Sequence, residues 1–269
     1  MTFNACIKKH FDEAFGPYGF KKIKSKYPYW GRMVGDEILQ IITYKNEWSM
    51  KPYKNFSIWG GVATVYRKKI DLDIAPRDQT WMKEAGAVYQ MINSYTYKDY
   101  DSDNSYDMNN ELNMEDRVKN ATEMASKGLL QELLLVMDLK TSIDFWAKYD
   151  PQLLNILSFD DFDKIREEDE GVVLFKEYNL EEYILFKKQQ RLEDEKILLE
   201  MYSQNGKRNE NEYYDNYKRD CSIIEKRTIE SIDIFRNVCE NDNLKLEIAN
   251  IAENYKKNNV QYLYEKGII

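Results

Sequence analysis

One imidazole is all that the chain offers to histidine chemistry, because His10 is the only histidine in 269 residues. A zinc site built from several histidines is therefore excluded, and a Ser-His-Asp arrangement would have this one base to draw on. Cysteine is nearly as scarce. Cys6, Cys221 and Cys239 form no CxxC pair and no disulfide-scaffold spacing, which points to free thiols in a reducing compartment. Glycine occurs in neither a GxGxxG nor a GxxxxGK[ST] arrangement, so no loop of the chain is built to cradle phosphate. Long apolar runs are missing too. The most apolar, Leu129 to Met137, is interrupted by Gln131 and Glu132 and falls far short of the roughly 20 residues that cross a bilayer. The N-terminal residues show no basic leader followed by an apolar stretch. The expectation is a cytoplasmic protein with no membrane segment. Its abundance of Lys, Asn, Ile and Tyr has a bacterial style.

Aromatic residues and charge are plentiful. The 21 tyrosines exceed the other aromatic types combined, and each can pack its ring while keeping its hydroxyl wet or bonded. Hydrophobic residues at 43% are enough to build a core, which argues against general disorder. The net charge of −8 is unevenly spread. Residues 1–70 carry 13 Lys and Arg against 5 Asp and Glu, whereas the rest carries 26 against 42. An acidic excess of that size can steer an oppositely charged partner.

Periodicity divides the chain. Phe3, Ile7, Phe11, Ala14 and Phe15 recur at helical spacing, and Gly16-Pro17 and Gly19 stop the helix. An aromatic strand from Tyr27 to Met33, a turn at Gly35-Asp36 and a β-branched run Ile38–Tyr44 follow. A third strand runs from Phe56 to Tyr66, and its paired Gly60-Gly61 signal a bulge or a close backbone approach. Residues 96–113 are polar, acidic and turn-prone. Beyond them helical periodicity dominates. Val118, Ala121, Thr122, Ala125 and Leu129 form one face, and Leu130, Leu133, Leu134 and Met137 continue a buried helix. Val172–Phe175 fits either a strand or the start of a helix, and Asn205-Gly206 interrupts a long helix in the manner of a helical hairpin. The stripes Ile229, Ile232, Phe235, Cys239 and Leu244, Ile248, Ile251, Tyr255, Tyr262 would seam the last helices together, or else hold a homodimer. The expected class is α+β: an N-terminal helix with a small antiparallel meander over residues 1–95, an acidic loop over 96–113, and a mostly α-helical region over 114–269.

The elements ending at Phe15, then Gly19-Phe20-Lys21-Lys22, Tyr29-Trp30, Gly35-Asp36 and Ile38-Leu39-Gln40-Ile41-Ile42 together form a pattern. In it the first third to two-fifths of the chain resembles a bacterial domain-of-unknown-function family, number forty-three hundred and four. The resemblance implies a fold style and a bacterial origin, and it carries over no site residues.

Four groups of residues could carry chemistry. Asp99, Asp101, Asp103 and Asp107 alternate like the start of a Ca²⁺ loop. Asn104 replaces the glycine that such a loop needs, however, and Glu111 lies one residue beyond the bidentate position. Cys6 and His10, four apart on the first helix, could pair as nucleophile and base, or simply border the apolar stripe. The carboxylates Asp160, Asp161 and Asp163, and the run Glu167, Glu168, Asp169 and Glu170, could hold Mg²⁺ or present an acidic face to a partner. Lys21, Lys22, Lys24 and Lys26, followed by Tyr29 and Trp30, mix charge with rings as a single-stranded nucleic-acid surface would, although an edge strand guarded by lysines explains them more simply.

No cofactor is expected, Ca²⁺ and Mg²⁺ being the only candidates. The balance is against an enzyme. The reading that follows is a non-catalytic protein-interaction module, for instance an immunity-type inhibitor of a basic toxin, using Glu167, Glu168, Asp169 and Glu170. The alternatives are a carboxylate- and metal-dependent enzyme, or a nucleic-acid binder through the Lys21–Trp30 region.

Overall fold

The computed structural model describes residues 1–47, 55–74, 88–91, 106–107, 114–149, 169–205 and 210–269. They form two compact units, Met1–Asp150 with Asn254–Ile269, and Pro151–Glu253. The fold is α+β, with an N-terminal helix, an antiparallel sheet and a mostly helical C-terminal part. Among the described residues no helix is long and apolar enough to cross a membrane.

In the first unit, helix α1 (Phe3–Phe15) starts where the Thr2 hydroxyl accepts from the Ala5 N–H at 3.4 Å. It ends in a short 3₁₀ turn closed by Gly19 at φ +89°, a conformation that only glycine adopts without strain. The strands are β1 (Lys21–Lys22), β2 (Tyr29–Val34), β3 (Ile38–Glu47), β4 (Asn55–Thr64), β5 (Val88–Met91) and β6 (Tyr106–Asp107). They pair in the order β1-β2-β3-β4-β5, and β6 also pairs with β4. The meander expected from sequence is β2-β3-β4, with Val34 opposite Ile38 across a turn at Gly35. β6 adds a strand within the stretch read as a polar loop.

The sheet is covered on the α1 side by aromatic packing. Phe11 meets Trp30 edge-on at 4.8 Å, and Phe3 meets Tyr44 at 5.5 Å and Phe56 at 5.2 Å. Helices α2 (Met114–Lys127), α3 (Leu129–Leu134) and α4 (Leu139–Tyr149) belong to the same compact unit as the sheet, as do residues 254–269. All of these fall in the mostly helical region expected over 114–269, and specific bonds tie them to the sheet. The buried Gln40 amide, on β3, donates to the carbonyls of Leu133 (2.6 Å) and Val136 (2.8 Å), while its oxygen accepts from Arg32 at 2.7 Å. Trp146 Nε1 donates to the Val62 carbonyl at 3.3 Å. Asn259, on the C-terminal helix, donates to the carbonyls of Val65 and Arg67 at 2.9 and 2.6 Å and accepts from the Ile70 N–H at 3.0 Å. The face Val118–Leu129 is buried as expected, but Met137 is 63% exposed, because α3 stops at Leu134 and the chain turns outward.

Gly60 explains its own presence. A Cβ there would lie 2.6–2.9 Å from Cδ2, Cδ1 and Cγ of Leu129, whose side chain is fully buried and has nowhere to move. The close approach signalled in the sequence is thus that of a helix to the sheet. Gly60→Ala should lower stability by roughly 1–3 kcal/mol through overpacking, seen as a fall in the denaturation midpoint. Gln40→Leu should cost roughly 1–3 kcal/mol, since the Val136 carbonyl loses its Gln40 donor and Arg32 its acceptor, and chemical denaturation measures it directly.

Candidate functional site

The lysines and rings of the 21–30 segment part company in the structure. Lys21 and Lys22 form the edge strand β1, and they, Lys24 and Lys26 are all exposed. Tyr29 and Trp30 are not: both are essentially fully buried. The Tyr29 hydroxyl donates to the Ile74 carbonyl at 2.9 Å, and Trp30 Nε1 donates to Asp12 Oδ1 at 2.8 Å. Stacking of bases on these two rings is therefore ruled out; the strand turns Trp30 into the core under α1 and buries Tyr29 on the opposite face. The lysines remain as a basic edge.

The acidic candidates fall largely elsewhere. Asp99, Asp101, Asp103, Asp160, Asp161, Asp163, Glu167 and Glu168 lie outside the described residues. Asp107 pairs with Asn55 in the β4–β6 ladder, and Asp169 and Glu170 open helix α5 (Asp169–Glu177), which also answers the strand-or-helix question at Val172–Phe175. Among the described residues no group of three or more His, Cys, Asp and Glu side chains is arranged to hold a metal. Cys6 and His10 do share the buried face of α1. Burial, and then the Glu115 carboxylate, push the Cys6 thiol up, outweighing Lys9 and the N-terminal amine. A thiol held protonated in this way is a poor nucleophile. The His10 nitrogens stand 3.6 Å from Glu13 and 3.7 Å from Glu115, beyond hydrogen-bonding reach, and Lys9 holds Glu115 at 2.7 Å.

The feature missed in the sequence lies in the second unit. Helix α6 (Leu180–Asn205) opens with a reciprocal cap, in which Asn179 Oδ1 accepts from the Glu182 N–H and Glu182 Oε2 accepts from the Asn179 N–H, each at 3.0 Å. It packs against α7 (Glu210–Glu240) as the hairpin that Asn205-Gly206 suggested. At one end Phe235 is stacked between Tyr183 (3.9 Å) and Phe175 (4.5 Å). Further along, the seam turns polar. Lys187, only 2% exposed, donates to Gln190 at 2.8 Å, with Thr228 and Ser231 also buried on α7. Arg191 then bridges to Glu195 (2.7 Å) and Glu225 (3.0 Å), and the Tyr202 hydroxyl donates to Asp220 at 2.7 Å.

On the opposite side of α6 stand Leu185, Leu192 and Leu199, 67%, 66% and 54% exposed. At about 3.6 residues per turn, seven-residue spacing lines them up as one ridge, half a turn away from Tyr183, Lys187, Gln190 and Asp194. The helix is inverted at these positions: Lys187 and Gln190 are buried, while Leu185, Leu192 and Leu199 face solvent. On α7, Ile232 and Phe235 pack into the unit as expected, while Ile229 is exposed. The acidic excess is also localised here, since Pro151–Glu253 contains 15 Lys and Arg against 25 Asp and Glu. The remainder of the chain is close to neutral, with 24 against 22.

No protein-family model matches the chain, and no curated protein or solved structure matches it either.

Burial lowers the Lys187 ammonium to about 8 despite the pull of Asp194, and burial likewise raises the Asp194 carboxyl. Desolvation thus outweighs the attraction between the two. Between about pH 8 and 10.5 the unfolded chain retains a proton on Lys187 that the folded chain releases, so this residue makes stability rise with pH across that window. Lys187→Met should remove that rise. It should also stabilise the unit by up to about 3 kcal/mol at neutral pH, read as the difference between wild-type and variant urea midpoints from pH 7 to 10.

Proposed function

We propose that the chain is a non-catalytic protein-interaction module that captures a basic protein through its acidic helical unit, with the α6 leucine ridge as the contact. The single observation that carries this reading is the inverted α6, which turns Leu185, Leu192 and Leu199 outward while burying Lys187 and Gln190. Leucines displayed in a row on a charged helix suit a partner's apolar groove, which would read them as anchors one above another. The net charge of the unit supplies the second half of the recognition. It would draw in a cationic partner and align it before the ridge seats. An immunity-type inhibitor of a basic toxin is the concrete form, because such a protein works by fast capture and occlusion and needs no catalytic group. The three free cysteines suit a reducing bacterial cytoplasm as the setting.

The test compares the immobilised wild-type chain with Leu192→Glu and Leu199→Glu in retaining proteins from a bacterial lysate. These leucines are exposed, so both variants should keep the wild-type circular dichroism and melting temperature. The expected result is one stoichiometric basic protein, released by salt, whose affinity falls by tenfold or more, about 1.4 kcal/mol, in either variant. Retention of no basic protein, or equal retention by the variants, would overturn the reading.

A further inference from the structure

The second unit also carries a half-open cavity of about 480 Å³, within the size range of small-molecule sites. Its walls come from four separate stretches of chain: Val172 and Phe175 on α5, Leu180 at the start of α6, Val238 near the end of α7, and Ile248 and Ala252 on helix α8 (Asp242–Glu265). Val172, Val238, Ile248 and Ala252 are each buried, so packing of the unit itself holds the walls in place. Such a space is apolar by construction, and an apolar ligand group entering it exchanges water for methyl and ring contacts.

The polar groups at the cavity are few and of mixed sign. Lys176 from α5 and Lys245 and Glu253 from α8 are the charged residues that line it, beside the neutral Tyr178 and Asn179. Lys245 is also 3.3 Å from Asp242, an exposed pair of long geometry that a ligand carboxylate can replace at little cost. The Cys239 thiol lines the cavity as well, and burial pushes it up, so it forms part of the neutral wall.

We propose that this cavity binds a small anionic amphiphile, with the apolar body against Val172, Phe175, Val238 and Ile248 and the head group paired to Lys176 and Lys245. The site is separate from the leucine ridge of α6. Its ligand could thus occupy the unit whether or not a protein partner is bound there.

Cys239 reports occupancy without knowledge of the natural ligand. Dodecanoate, kept below its micellar concentration, is the probe. Alkylation of Cys239 by N-ethylmaleimide is followed on the full chain, with Cys221, which does not line the cavity, as the internal control. At a probe concentration ten times the Kd, modification of Cys239 should slow about tenfold while Cys221 is unchanged, since only the unoccupied site reacts. Ala249→Phe, at an exposed position on the cavity's edge, should fill the mouth without disturbing the fold and abolish the protection. The double variant Lys176→Gln and Lys245→Gln should weaken dodecanoate and leave dodecanol unaffected. Absence of protection in the wild type, or protection that survives Ala249→Phe, overturns the site. Equal protection by dodecanol and dodecanoate overturns the anionic head group.

Discussion

A helix ends with carbonyl groups that its own residues cannot satisfy, and in the first unit that need is met from inside the sheet. Gln40 sends its amide from β3 to two carbonyls at the end of α3 and holds Arg32 with its oxygen. A buried amide with all these bonds made is stable; with any one missing it is costly, so α3 cannot slide along the sheet without penalty. Gly60 then lets Leu129 approach the neighbouring strand. Asn259 repeats the device at the other end of the chain, tying the C-terminal helix to the backbone between Val65 and Ile70. Two side-chain amides therefore join segments about a hundred and two hundred residues apart to the meander.

The second unit solves the same problem at greater cost. Its hairpin closes over Lys187, Gln190, Thr228 and Ser231, and the lysine is bonded to Gln190 but still strongly desolvated. The aromatic stack of Phe175, Phe235 and Tyr183 supplies the apolar contact that the polar stretch lacks. With Lys187 and Gln190 on its buried side, the helix leaves Leu185, Leu192 and Leu199 outside.

Charge follows the same division. Pro151–Glu253 carries a net acidic excess, whereas in the other unit the basic first 70 residues offset the acidic excess of the residues that follow them. The basic residues of the 21–26 segment guard a sheet edge, where lysines discourage pairing with another chain. Trp30 and Tyr29, which in sequence looked like part of the same surface, instead anchor the core beneath those lysines.

Much of the fold was legible because secondary structure follows local rules. The spacing of Phe3, Ile7, Phe11 and Phe15 marked α1, the β-branched run Ile38–Tyr44 marked β3, and Asn205-Gly206 marked the hairpin bend. The glycine at position 60 signalled a close approach, but not that Leu129 was the approaching group. The candidate site was hardly legible at all. Which side of α6 faces inward depends on what α7 presents, and a polar stretch such as Lys187–Lys196 reads as a solvated face when its neighbour is unknown. By itself the sequence determined α1, the three-stranded meander, the helical character of the later chain and the α+β class, because periodicity, caps and turn residues act over a few positions; β5 and β6 it did not mark. Only the tertiary structure decided that Trp30 is core, that Gln40 and Asn259 are structural anchors, and that Leu185, Leu192 and Leu199 face solvent, because burial is a property of pairs of elements and not of one.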